Sequence, residues 1–410
     1  MSGKPRPALL PVVEARARIL AAADAFPKTI EEVPVAEAAG RVLARDLVAL
    51  RTQPPVDLSS MDGYALLATD TDPPGKPLQL IGESAAGHPF AGALSSREAI
   101  RIFTGAAVPP GADAVLMQEL AEAADGAVCS TVTLKPGTFI RRTGRDFSRG
   151  HVGLKAGTRL NPGHIALAGA MNHAVVPVFR RPKLAILATG DELVEPGAAT
   201  PDAEIVATNS YAIAAMARAA GAEILDLGIA RDTESEHHAA FDRAESWRAD
   251  VLVTIGGASV GARDLVRPVA QARGATLDFF RIAMRPGKPL NFGKLGAMLL
   301  AGLPGNPVSA LVCARLFLFP LIAALQGDAA AGQDLSETAL LGCDLPANDE
   351  REDYLRASLS RDAQGQLIAT PFPDQDSSLL SVYAAAECLV MRPAGAPAAQ
   401  AGEACRILKF

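Results

Sequence analysis

The sequence is poor in several features that would narrow its function at once. It has no C-x-x-C pair: the five cysteines, Cys129, Cys313, Cys343, Cys388 and Cys405, are scattered. That pattern indicates neither a zinc site nor a disulfide framework and suits a reducing, cytoplasmic setting. It has no excess of basic charge. The formal net charge is −6, so the chain offers no global attraction for nucleic acid or anionic lipid. An anionic ligand must then be held by local basic groups and backbone N–H donors. A long apolar run is also missing. Leu316–Leu325 is about ten residues where a membrane span needs about 20, and it reads as a buried helix. Lys4 and Arg6 are not followed by a secretion-type apolar segment, because Glu14, Arg16 and Arg18 interrupt it. No histidine cluster competes for a metal. His151, His164 and His173 are isolated, and His237 and His238 fall on a polar predicted helix, where they read as surface residues. There is no G-x-S-x-G elbow, no P-loop, no G-x-G-x-x-G and no internal repeat.

What is present is ample core material. Hydrophobic residues make up 49% and charged residues 20% of 410 residues, a globular composition long enough for two to four domains. Residues 12–25 carry Val12, Ala15, Ile19 and Ala22 on one helical face. From 64 to 160 short alternating strands are split by Gly and Pro: Leu78–Ile81, Ala99–Phe103, Ala114–Gln118 and Val128–Leu134. This predicts a β-rich region with no helix of normal length. The texture changes at Arg180. Apolar strands Leu184–Ala188, Glu223–Ile229, Val251–Ile255 and Ala297–Leu303 alternate with helices Ser210–Ala220, Glu234–Arg248, one starting near Asp264, and Val308–Leu325. Mostly apolar strands interleaved with helices predict a parallel sheet covered on both faces, a three-layer α/β domain. The last 80 or so residues return to short strands, Tyr354–Ser360, Leu367–Thr370 and Glu387–Arg392, and predict a small β domain.

Four polar, glycine-rich segments directly follow the α/β strands: Thr189-Gly190-Asp191-Glu192, Ala230-Arg-Asp232, Gly256–Asp264 and Leu303–Ser309. Loops at the carboxyl ends of parallel strands converge on one crevice. The pattern therefore gathers Asp191, Glu192, Asp232 and Asp264 toward one edge. Taken singly, each acid is explained as a helix cap or a solvated loop charge. Gly256, Gly257, Ser259 and Gly261 precede a helix, where glycine lets the backbone approach an anion and the helix N-terminus adds donors. A tight strand-to-helix turn explains the same string. Arg281, Arg285 and Lys288 lie in and before the proline-stiffened run Met284-Arg-Pro-Gly-Lys-Pro289, which reads as an oxyanion clamp or as a solvated basic loop. Carboxylates beside such groups suit Mg²⁺ bridging phosphate oxygens.

The segments Ser59-Ser-Met-Asp-Gly-Tyr64, Thr104–Val115, Thr189-Gly-Asp-Glu-Leu193, Gly256–Gly261 with Asp264, Pro286-Gly-Lys-Pro289 and Leu303–Ser309 together resemble the molybdopterin molybdenumtransferase family, to which the C-terminal part of gephyrin is related. The likeness runs from about residue 10 to the C-terminus. It implies an α/β multi-domain protein of four domains: a mixed linker domain (1–48 with 145–179), a β-rich domain (49–144), an α/β molybdopterin-binding domain (180–327) resembling molybdopterin adenylyltransferases, and a C-terminal β domain (328–410). It implies an elongated homodimer that takes adenylylated molybdopterin and molybdate and releases AMP. It implies no nucleic-acid or membrane partner. Its partner proteins would be a molybdopterin adenylyltransferase and molybdoenzyme-loading factors. Carried over by position, Asp62, Asp146, Asp232 and Asp264 are the implied catalytic acids, and Asp191, Glu192 and Asp264 the implied metal ligands. Arg281 and Arg285 stand where many members carry lysine, and arginine cannot donate a proton near neutral pH. Pro304 and Pro307 match a proline turn beside the site, and Arg356 and Ser377 match C-terminal positions. In the implied dimer, Asp62 of one chain faces Asp264 of its partner. Without the resemblance, Asp62 reads as a turn residue before Gly63. The alternative functions are a molybdopterin adenylyltransferase, which is typically much shorter, and a gephyrin-like scaffold, which would turn over neither substrate pair.

Overall fold

The computed structural model describes residues 9–198, 203–257 and 265–410. It separates into two compact units. One holds the described residues up to Glu31 together with Gly40–Val42 and Phe179–Phe410, and the other holds Glu32–Ala39 and Leu43–Val178. The chain enters the first unit with helix α1 (Val12–Asp24), which buries Val12, Ala15, Ile19 and Ala23.

The second unit is built on a six-stranded sheet: β1 (Gly63–Leu66), β2 (Pro77–Ser84), β3 (Glu98–Ile102), β4 (Ala114–Met117), β5 (Ala121–Ala124) and β6 (Ala127–Ser130). Their order is β4-β1-β3-β2-β6-β5, antiparallel except for β2 and β3. Successive side chains point to opposite faces of a strand. Accordingly Ala65, Ile100 and Val115 enter one apolar cluster, and Leu66, Ala99 and Leu116 enter another. Both faces are covered. Gly63 has to be glycine here, because a Cβ would lie 1.8 Å from the Leu116 carbonyl oxygen. A smaller core around Leu43, Leu47, Phe147 and Met171 takes helix α2 (Pro162–Ala170). Asn161 caps α2, and His164 completes a reciprocal capping box.

In the first unit lie β7 (Lys183–Thr189), α3 (Asn209–Ala219), β8 (Glu223–Ala230), α4 (Glu234–Ser246), β9 (Val251–Ile255), α5 (Val266–Ala272), β10 (Thr276–Phe279), β11 (Asn291–Leu295) and β12 (Met298–Leu303). The sheet order is β8-β7-β9-β12-β11-β10. The first four strands run parallel. The last two are antiparallel, so the all-parallel expectation holds only for the core of the sheet. Alternation again sorts the residues. Leu184, Ile186, Val251 and Val253 pack with α1 and α3, while Ala185, Leu187 and Leu252 pack with α4 and α5. The domain therefore has the expected three layers, and α1 helps to build one of them.

Helix α6 spans Pro307–Leu325, 19 residues of mean hydropathy 2.2. That matches the expected helix Val308–Leu325 to within one residue, and by length and composition it could cross a membrane. However, 78% of it is buried inside the protein, as a core helix requires. It passes through a wider π turn at Ala314–Leu318, directly before Pro320, whose ring nitrogen cannot donate to the preceding turn.

The chain ends in β13 (Glu337–Leu341), β14 (Glu352–Arg361), β15 (Leu367–Pro371), the short helix α7 (Leu380–Ala385), β16 (Cys388–Arg392) and β17 (Ala404–Lys409). These strands pair in the order β14-β15-β13-β17-β16, and β16 pairs back onto β14. The result is a closed five-stranded barrel without free edges. All five cysteines are free thiols.

Candidate active site

All four strand-end segments reach one cavity of about 680 Å³, large enough for a nucleotide-sized ligand. Thr189, Gly190 and Glu192 come from the end of β7, Asp232 from the end of β8, Gly256 and Gly257 from the end of β9, and Pro304 and Pro307 from the end of β12. Asp191 stands beside this wall rather than in it. Its Oδ1 accepts the Asp232 N–H at 2.9 Å, and its carbonyl accepts Arg231 Nη1 at 2.6 Å. Ser259, Gly261 and Asp264 lie outside the described residues.

Gly256 makes the convergence possible. It sits at φ +91°, and a Cβ there would come within 2.8 Å of the Thr189 carbonyl oxygen. Its N–H donates to the Leu303 carbonyl at 3.1 Å, so the three strand ends are held together by backbone. Two helix N-termini open onto the same space. Thr208, Asn209 and Ser210 begin α3, and Asn306 and Pro307 begin α6. Neither helix start is capped by its own side chain. Asn209 Nδ2 instead donates to the Gly305 carbonyl at 2.7 Å and ties the two starts together.

The barrel contributes as well. Asn306 Nδ2 donates to Ser377 Oγ at 2.9 Å, the Val308 N–H donates to the Ser377 carbonyl at 3.1 Å, and Ser378 lines the cavity. Gln375 anchors that loop by exchanging two hydrogen bonds of 2.9 Å with the backbone of Arg356 on β14. Arg356 is 1% exposed. Its Nη2 donates to the Asp376 carbonyl at 3.0 Å, and its Nε has no hydrogen-bond partner. Burial pushes its pKa below the ordinary arginine value.

The basic loop is placed differently from the clamp expectation. No lysine or arginine is among the described residues lining the cavity. Arg285 Nε donates to Asp353 Oδ1 at 2.8 Å and Nη2 bonds the second oxygen. Nη1 reaches Asp349 at 3.3 Å. Asp353 is 5% exposed, and the short strand Met284–Arg285 runs alongside β14. Arg285 thus fastens the α/β domain to the barrel. The Asp353 hydrogen bonds raise its pKa further. Arg281 stacks on Phe280 at 5.6 Å, and Lys288 is exposed. Among the described residues, the groups suited to an anion are therefore main-chain N–H groups, chiefly at the start of α3, because at the start of α6 Pro307 has no N–H and that of Val308 is taken by the Ser377 carbonyl.

His237 was expected on the surface. It is 1% exposed and lines the cavity. Its neighbours Glu234, Ser235, Glu236 and His238 are polar and disguise it.

Three family models match in chain order. The MoeA N-terminal region (domain I and II) covers residues 10–171, a probable molybdopterin binding domain 185–324, and the MoeA C-terminal region (domain IV) 338–410. The chain is 36% identical over 386 residues to the molybdopterin molybdenumtransferase of Haemophilus influenzae, covering 94% of this chain and 95% of that one. This chain belongs to the MoeA family. It is 35% identical over 387 residues to the molybdopterin molybdenumtransferase of Bacillus subtilis, covering 92% and 89%. A solved molybdopterin biosynthesis moeA protein of Pyrococcus horikoshii has a TM-score of 0.84 at 28% identity, covering 98% of this chain and 100% of that one.

Two acidic positions implied by the MoeA resemblance lie in the other unit. Asp62 is exposed, and its Oδ1 accepts the Thr104 N–H at 2.7 Å and the Thr104 hydroxyl at 2.8 Å. These bonds hold its pKa below the usual carboxylate value. Both side-chain bonds thus run to a residue 42 positions away, a link that the turn reading missed. Asp146 is exposed, and its N–H donates to the Gln53 carbonyl at 3.1 Å.

Proposed function

We propose that this chain is a molybdopterin molybdenumtransferase that takes adenylylated molybdopterin and molybdate, releases AMP and leaves molybdenum on the dithiolene. The carrying observation is the cavity at the strand ends, where two carboxylates, Glu192 and Asp232, share walls with two helix N-termini. Main-chain N–H groups at the start of α3 hold an oxyanion; at α6 Pro307 has none and that of Val308 is taken by Ser377. The carboxylates are hard oxygen donors. Mg²⁺ takes one or two carboxylates with water and phosphate completing its shell, so this donor set fits it. Among the described residues no group of three or more acidic, histidine or cysteine side chains forms a metal centre, and Asp264 is our candidate for a further ligand. When bound, the cation supplies charge neutralisation at the phosphoanhydride. Glu192 and Asp232 then orient it, and Asn306, Ser309 and Ser378 fix the ligand's polar edge.

The working form we propose is a cytoplasmic homodimer. A molybdopterin adenylyltransferase supplies its substrate, and molybdoenzyme-loading factors take its product. The test is substrate dependence. We expect AMP release from adenylylated molybdopterin that requires both molybdate and Mg²⁺. Consumption of ATP with free molybdopterin would assign the adenylyltransferase reaction, and turnover of neither pair would leave the scaffold.

A further inference from the structure

His237 is the one ring base among the described cavity-lining residues; the other polar side chains there are carboxylates, amides and hydroxyls. It lies in the first turns of α4 and is 1% exposed. Its Nδ1 is 3.0 Å from the Thr233 carbonyl oxygen. A carbonyl only accepts, so Nδ1 carries the proton of this bond. In that tautomer Nε2 is an acceptor, with the ring plane fixed by the bond on the other side. Nε2 has no hydrogen-bond partner among the described residues, so it is open to a donor from a molecule bound in the cavity that His237 lines.

We infer that His237 is a positioning residue for the ligand in this cavity. Its Nε2 accepts a hydrogen bond from an O–H or N–H group of the bound molecule. This rests on the transferase reading for the identity of the ligand. In adenylylated molybdopterin the donor class has two sources, the ribose hydroxyls of the AMP half and the N–H groups of the pterin half. Losing one such contact costs about tenfold in binding.

The two nitrogens can be separated with amides. His237→Asn keeps a donor near Nδ1, and with it the Thr233 bond, but places nothing at Nε2. His237→Gln reaches the Nε2 position with an acceptor oxygen. On the full chain we would measure melting temperature, kcat and KM for adenylylated molybdopterin, and AMP affinity by calorimetry. Wild-type turnover tests the transferase reading separately. We expect His237→Asn to melt like the wild type, to raise KM about tenfold with little change in kcat, and His237→Gln to restore KM. A matching loss of AMP affinity assigns the donor to the nucleotide half; unchanged AMP affinity with raised KM assigns it to the pterin half. Unchanged KM in His237→Asn overturns the inference. So does equal early melting of both variants without rescue by glutamine, which makes His237 a packing residue only.

Discussion

The α/β domain and the β-rich domain present acids in opposite ways. In the first, Glu192 and Asp232 reach one cavity because parallel topology brings strand ends together. Each stands on a different loop, and the convergence belongs to the sheet. In the second, the Asp62 carboxylate is fixed on an exposed surface by Thr104, 42 positions away, while its carbonyl accepts the Gln118 N–H. The first arrangement is readable from strand order, whereas the second depends on a pairing that periodicity does not encode. A site built by topology should lose function when one wall is altered. A surface acid should matter only through whatever meets it.

The largest effect should come from the topological site. Asp232→Asn should melt normally yet release AMP roughly 100-fold more slowly, about 2.7 kcal/mol of barrier. Near-normal rates would place the chemistry elsewhere. The next experiment asks whether the two domains act within one chain or across two. If both Asp62→Ala and Asp232→Asn are weak, and if Asp62 of one chain completes its partner's site in the proposed homodimer, unfolding and refolding the two variants together should give mixed dimers with one intact site. Random pairing restores roughly a quarter of all sites. No recovery despite proven subunit exchange would confine the domains to separate roles or to one chain.

Gly256→Ala tests how tightly the strand ends are drawn together. The positive φ and the approach to Thr189 should cost about 2 kcal/mol, read as a lower melting temperature. Arg285→Ala should cost about 1 kcal/mol once partial exposure is discounted, with oxyanion affinity unchanged. Weaker molybdate binding at an unchanged melting temperature would restore the clamp reading. The smallest effect concerns acid stability. Arg351, through its side chain and then its N–H, depresses Asp349 to about 2 from the ordinary 3.8. A carboxylate lowered on folding adds stability above its unfolded pKa, and that stability is lost as pH falls through the folded value. Asp349→Asn should therefore flatten an acid-unfolding curve between about pH 4 and pH 2, slightly lower stability at neutral pH, where the wild-type carboxylate contributes in full, and match the wild type at the acid end.

Of the four parallel strands, β7, β9 and β12 were readable as nearly unbroken apolar runs, whereas the edge strand β8, with Glu223 and Asp226 and only two buried residues, was readable from its place between α3 and α4. The antiparallel pair β10 and β11 was not. Asn291–Leu295 contains Gly293 and Lys294, and Thr276–Phe279 is only four residues. The cavity's acids followed from strand order, but the fate of its cations did not. Arg285 displays its charge in the sequence, while its partners Asp349 and Asp353 lie 64 and 68 positions away. His237 was hidden by the polar residues around it, because burial of one position on a polar helix is set by what packs there. The barrel's closure needed Glu337–Leu341 and Ala404–Lys409, neither of which alternates strongly enough to stand out.

A cavity whose described walls offer an anion peptide amides and no lysine or arginine has an unusual robustness. Those amides belong to every sequence that folds this way, so an alanine scan along the start of α3 would pass over them in silence. Fixed dipoles inside a partly enclosed space are also less exposed to mobile ions than a lysine or arginine clamp would be. Substrate capture should then vary little with ionic strength. Selectivity would rest on the shape of the walls, where a change in loop length does more than a change of side chain.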